Sequence, residues 1–126
     1  MSWIRQISGT VPSPKYTSIT GGDLTMSTGP ISVSIDKDLE DLIPGFLENR
    51  KKDVILLGEA LDAGKIDSLK SIGHSLKGVG GGYGFHELSA IGAEIERIAK
   101  AGHTIGIRDL INQMSDYLSR IEIVYE

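Results

Sequence analysis

From residue 36 onward the apolar residues of this chain recur at intervals of three and four, and only short, glycine-marked gaps interrupt them. That period belongs to the α-helix, and it restricts the fold more than any other feature. Leu39, Leu42, Ile43, Phe46 and Leu47 open a stripe that resumes at Val54, Leu57 and Leu61. Pro44 sits inside it. Proline is tolerated in a first helical turn, so the pattern predicts a short helix followed by a longer one starting near Pro44. Gly64 closes that element. A second stripe, Ile66, Leu69, Ile72, Leu76 and Val79, closes around Gly82 to Gly84. Leu88, Ile91, Ile95 and Ile98 mark a third, which stops at Gly102. Ile107, Leu110, Ile111, Met114, Leu118, Ile121 and Val124 mark the last. No segment shows convincing period-two alternation. Short links hold consecutive helices antiparallel, so the predicted fold is all-α: an antiparallel up-down four-helix bundle with a short extra N-terminal helix.

The first part of the chain reads differently. Residues 1–34 are dominated by Ser, Thr, Gly and Pro and carry three charges, Arg5, Lys15 and Asp23. Such a stretch buries too little apolar surface to offset its ordering entropy, and a largely disordered N-terminal tail is expected. Short β-like pieces such as Ile31-Ser32-Val33 are candidates for docking on the body, and Met26 is a candidate second start. The division is therefore a tail over 1–34 and a helical domain over 35–126. Of the chain's 13 basic and 17 acidic residues, 11 and 16 lie in the body, which is acidic.

That balance argues against nucleic acid as a main partner, because phosphate-backbone binding rests on a basic surface. The longest apolar run, Val54-Ile55-Leu56-Leu57, is far too short to cross a bilayer, and no secretory signal is visible. With no cysteine there is neither a disulfide nor a thiol nucleophile. A monomer located in the cytoplasm is expected.

The segment from Ser71 to Gly84 carries the chemistry. At about 100° per residue, Ile66, Leu69, Ile72, Leu76 and Val79 share one arc, and His74 lies roughly 160° from its middle, toward solvent. Asp67, Lys70, Ser71, Lys77, Gly78 and Gly81 fall beside it. Glycine inside a helix costs about 0.8–1 kcal/mol relative to alanine, so Gly73, Gly78, Gly80 and Gly81 are expensive for a purely structural helix. The expected return is a cleared surface on which another protein can approach the imidazole. A neutral imidazole is a competent nucleophile toward phosphorus. Lys77, at i+3, is placed to offset charge on a transferring phosphoryl group, with Lys70 adding a weaker field from i−4.

The pattern His-x-x-Lys-Gly, with a further Gly ten residues after the His, resembles the histidine-containing phosphotransfer (HPt) domain family. The matching positions are His74, Lys77, Gly78 and Gly84. The resemblance covers residues 36–126 as a helical layout and about thirty residues as motif. It implies that His74 is the phosphoacceptor, that Lys77 favours the phosphorylated state, and that Gly78 permits docking of a receiver domain, with Lys70, Ser71 and Gly81 on the same docking face. It also implies response-regulator receivers or a hybrid histidine kinase as partners. Mg²⁺ is expected in the receiver and no cofactor in this chain. There is no ATP site, so the expected role is that of a carrier.

Other readings are weaker. His86 and His103 stand at spacings that match no helical metal pair, and no metal site is expected. No register from Gly78 to Gly84 fits a dinucleotide-binding or Walker-type glycine loop. Glu94, Glu96, Arg97 and Lys100 are read as the solvated face of a helix, and Arg50-Lys51-Lys52 as solvated surface. The alternative function is a helical interaction module that binds a signalling partner without accepting phosphate.

Overall fold

The structure, a computed structural model, describes residues 29–126. Four helices follow one another: α1 (Ile43–Asp62), α2 (Ile66–Tyr83), α3 (His86–Lys100) and α4 (Ile107–Arg120). They are flanked by two strands, β1 (Ile31–Ile35) and β2 (Ile121–Tyr125). Each helix packs on its neighbours in sequence, and α4 closes the ring against α1.

The apolar stripes become the core. Leu57, Leu69, Leu76, Leu88, Ile95, Ile107 and Met114 are fully buried, one or two from each helix. Each side chain of this size contributes roughly 1.5–3 kcal/mol by leaving water. Phe46 of α1 stacks on Tyr83 at the end of α2 (centroids 4.4 Å apart) and on Phe85 just beyond it (5.0 Å). This ties the start of α1 to the α2–α3 turn. α2 ends because Gly84 adopts φ +92°, a left-handed conformation open to glycine at no steric cost. The Phe85 N–H then donates back to the Gly80 carbonyl at 2.8 Å.

α2 and α3 approach most closely, and glycines are the reason. A Cβ on Gly73 would lie 2.8 Å from both the Glu96 nitrogen and the Gly92 carbonyl oxygen. One on Gly80 would lie 2.7 Å from the Ser89 nitrogen, and one on Gly92 2.6 Å from the Leu76 Cβ. Backbone thus meets backbone along this seam. The Ser89 hydroxyl adds a hydrogen bond to the Lys77 carbonyl, 2.8 Å long. Gly73 and Gly80, which the helical projection left off the face of His74, are buried against α3.

Two further expectations are corrected. The last helix stops at Arg120, and Ile121 to Tyr125 form a strand that pairs in parallel with β1, from Ile31↔Ile121 to Ile35↔Tyr125. Both strands alternate. Ile31, Val33, Ile35, Ile121, Ile123 and Tyr125 pack on the core, while Ser32, Ser34, Glu122 and Val124 face outward. β-branched residues suit such a half-buried pleated surface. The body is thus four helices plus a two-stranded sheet, and all of β1 but Ile35 lies within the stretch assigned to the tail. In place of the short extra N-terminal helix stands one 3-10 turn, Lys37–Leu39, capped by the Asp36 carboxylate accepting from the Asp38 N–H at 2.9 Å. The expectations for residues 1–28, including disorder and Met26, fall outside the described residues.

Candidate functional site

α2 presents its outer face through residues that the core stripe leaves over. Lys70, Ser71, His74, Lys77, Gly78 and Gly81 are all exposed there. The His74 side chain is 70% exposed, as the projection predicted. A Cβ on Gly78 would meet nothing within 4 Å, and one on Gly81 only the Ser89 hydroxyl at 3.5 Å. The surface one turn along from His74 is therefore flat. Lys70 and Ser71 share this face but have no ion pair or hydrogen bond with His74.

The residue that sequence reasoning missed is Glu96. It is no part of a solvated face: its side chain is 8% exposed. It rises from α3 between the two helices. One carboxylate oxygen, Oε2, lies 2.9 Å from His74 Nδ1. The other, Oε1, lies 2.9 Å from Lys77 Nζ. Lys100, one turn along α3, brings its Nζ to 3.7 Å from Oε2. The Gly73 contact makes this possible, since a side chain there would hold α3 and its carboxylate further off. A signal for the burial was present in the sequence. Glu96 stands at i+4 from Gly92 and i−3 from Ala99, and all three belong to one buried strip. A charge among small residues on a packed face has to find partners.

The electrostatics fix the protonation pattern. The hydrogen bond from Lys77, aided by that from His74, holds the Glu96 carboxyl down to about 2, against the burial that opposes ionisation. Glu96 is therefore a carboxylate and can only accept. His74 Nδ1 must donate to it, so in the neutral imidazole the proton sits on Nδ1 and Nε2 carries the free lone pair. His74 has no other hydrogen bond among the described residues. A carboxylate that orients a ring and offsets charge gained at the distal nitrogen is a familiar device for preparing a histidine. The arrangement can do one thing well: offer an oriented Nε2 to an electrophile arriving from outside the bundle.

Lys77 is less free than expected. Its Nζ is committed to Glu96 rather than extended over the imidazole. His86 and His103, both exposed, take no part in this cluster. Among the described residues no helix is long and apolar enough to cross a membrane. In comparisons with known proteins, no curated protein and no solved structure matched the chain. The family described as Hpt domain matches residues 41–123, which takes in all four helices from near the start of α1 to the first residues of β2.

Proposed function

The chain belongs to the Hpt domain family, whose members pass phosphoryl groups through a histidine in phosphorelays, and on that premise we propose that His74 Nε2 is its acceptor atom. The observation that carries this reading is the 2.9 Å contact between His74 Nδ1 and the Glu96 carboxylate, which in the neutral imidazole puts the proton on Nδ1 and the free lone pair on the outward nitrogen. The donor in this proposal is the aspartyl phosphate of a receiver domain. The Nε2 lone pair forms a bond to phosphorus as the bond from phosphorus to the aspartyl oxygen breaks, and that electron pair leaves with the carboxylate. No proton has to move: Nδ1 keeps its hydrogen, and Glu96 offsets the positive charge that the ring acquires. A second receiver takes the group by the reverse step. Each receiver brings Mg²⁺ and an acidic pocket, while this chain supplies the nucleophile, Lys77 and a surface flattened at Gly78 and Gly81. Lys70 and Ser71 border the docking face.

The α2–α3 register supports the antiparallel, up-down arrangement that the reading assumes. Gly73 faces Gly92 and Glu96, whereas Gly80, further along α2, faces the earlier residues Phe85 and Ser89. We place the protein in the cytoplasm as a monomer that meets receivers or a hybrid histidine kinase there. The test is incubation with phosphorylated receivers. Acid-labile, base-stable label is expected on the wild type and none on His74→Gln. Binding to a receiver with no label on the wild type supports a binding module instead.

A further inference from the structure

Three groups converge on the Glu96 carboxylate, and the reading of His74 as acceptor gives work to only two of them. Lys100 is the third. Its Nζ stands 3.7 Å from Oε2, beyond hydrogen-bond length, and its side chain is 63% exposed. It has no other ion pair among the described residues. We infer that Lys100 is a positioning residue for phosphotransfer: it is the reserve counter-ion of Glu96, taking over when Lys77 turns to the phosphoryl group on His74. The inference rests on the proposed function above.

Charge has to stay balanced at this nearly buried site. Lys77 stands one helical turn from His74, and in the unphosphorylated protein its ammonium is held 2.9 Å from Glu96 Oε1. A phosphoryl group on Nε2 brings roughly two negative charges to within reach of the same ammonium. Lys77 cannot serve both anions fully. If it leaves Glu96 unaided, an 8% exposed carboxylate keeps the His74 Nδ1–H but loses its contacting cation. Stripping the partner from a buried charge is strongly unfavourable, and the bare carboxylate would also repel the phosphoryl oxygens. Lys100 removes that obstacle. Contact requires its ammonium to advance by about 1 Å, to the length of a charge-assisted hydrogen bond. Glu followed by Lys at i+4 on one helix is also the favourable order for such a pair. Glu96 would then exchange one lysine for another without ever lacking one, and Lys77 would be released.

The test uses the full chain and potassium phosphoramidate as the donor, with phosphohistidine followed by ³¹P NMR. Failure of the wild type to gain phosphohistidine at His74 counts against the proposed function itself. Given phosphorylation, the inference predicts that Lys100→Gln shortens the phosphohistidine lifetime about two- to fivefold, the range expected for one partly exposed ion pair. Lys100→Arg should restore it. In a Lys77→Gln background, Lys100→Gln should shorten the lifetime more than it does alone, because Glu96 is then left with neither lysine beside the phosphoryl group. Equal effects of Lys100→Gln with and without Lys77, or a lifetime unchanged by Lys100→Gln alone, would overturn it. Thermal unfolding of unphosphorylated Lys100→Gln should match the wild type, which separates exchange from a general loss of structure.

Discussion

The Gly73 α-carbon and the Glu96 backbone nitrogen are so close that a methyl group on Gly73 would stand 2.8 Å from that nitrogen. The contact is between backbones, which cannot swing aside as a side chain can. Gly73→Ala should therefore push α3 away and destabilise the fold by about 1–3 kcal/mol, overriding the helix-propensity gain of about 0.8–1 kcal/mol. The same displacement should loosen the hydrogen bond from His74 to Glu96. Urea unfolding, together with the His74 ring ¹⁵N shifts, reads both effects. An unchanged urea midpoint would remove the seam as the reason for this glycine.

Gly78 should respond in the opposite sense. It lies in the same helix, yet a Cβ there meets nothing within 4 Å. Gly78→Ala is expected to stabilise the protein by about 0.5–1 kcal/mol through helix propensity alone. Gly78→Leu should keep the fold but slow transfer from a receiver, because the larger side chain occupies the docking surface. Transfer at the wild-type rate would take Gly78 off that surface.

Glu96→Gln preserves shape and removes charge. An amide can accept from Nδ1–H or donate to a bare Nδ1, so it no longer dictates the tautomer. The expected outcome is a mixture of imidazole tautomers in the ¹⁵N spectrum and a fall in phosphotransfer of about tenfold or more, by the logic that governs an oriented catalytic histidine. A single Nδ1–H tautomer in the variant, with transfer intact, would show that Glu96 does not prepare the ring.

Glu96 should also leave a mark on acid stability. Its carboxyl is held down to about 2 by Lys77 and His74, against an ordinary value of 4.5. Above about pH 4.5 the folded and unfolded chains both carry the charge, and the contribution to stability is complete. As pH falls toward 2 the unfolded chain takes up a proton that the folded carboxylate refuses, and the contribution is lost. Stability measured between pH 5 and pH 2 should therefore fall less steeply in Glu96→Gln than in the wild type.

The strand pair offers a test away from the site. Ile35 is 2% exposed, between the sheet and the α2–α3 turn, with its Cδ1 3.4 Å from where a Cβ on Gly84 would stand. Ile35→Ala should cost about 2–4 kcal/mol, as for other buried aliphatic truncations. A change within 0.5 kcal/mol would mean that the sheet is an appendage rather than part of the core.

The helices were legible because their apolar residues repeat at a helical period, and His74 was legible because it stands opposite that stripe. β2 was not. Ile121 and Val124 continue the three-residue spacing of α4, and only the partner strand, far away in sequence, selects the extended form over another helical turn. The seam glycines were half legible. Their helix-propensity cost was visible in the sequence, but a projection of α2 alone cannot show how near α3 comes to Gly73 and Gly80. Glu96 was hidden among the charges around it, and its isolation between Gly92 and Ala99 becomes telling only once those two small residues are known to face α2.

The parallel pairing of β1 with β2 has a consequence for how the molecule is made. The Ser34 hydroxyl meets a Glu126 carboxylate oxygen 92 residues later in the chain. During synthesis all four helices leave the ribosome before β1 has anything to pair with. The apolar row of β1, Ile31, Val33 and Ile35, must wait, its pairing edge open, until β2 has emerged. Until β2 emerges, His74 stands on a body that this strand pair has not yet closed, and closure across so long a span is slow compared with helix formation.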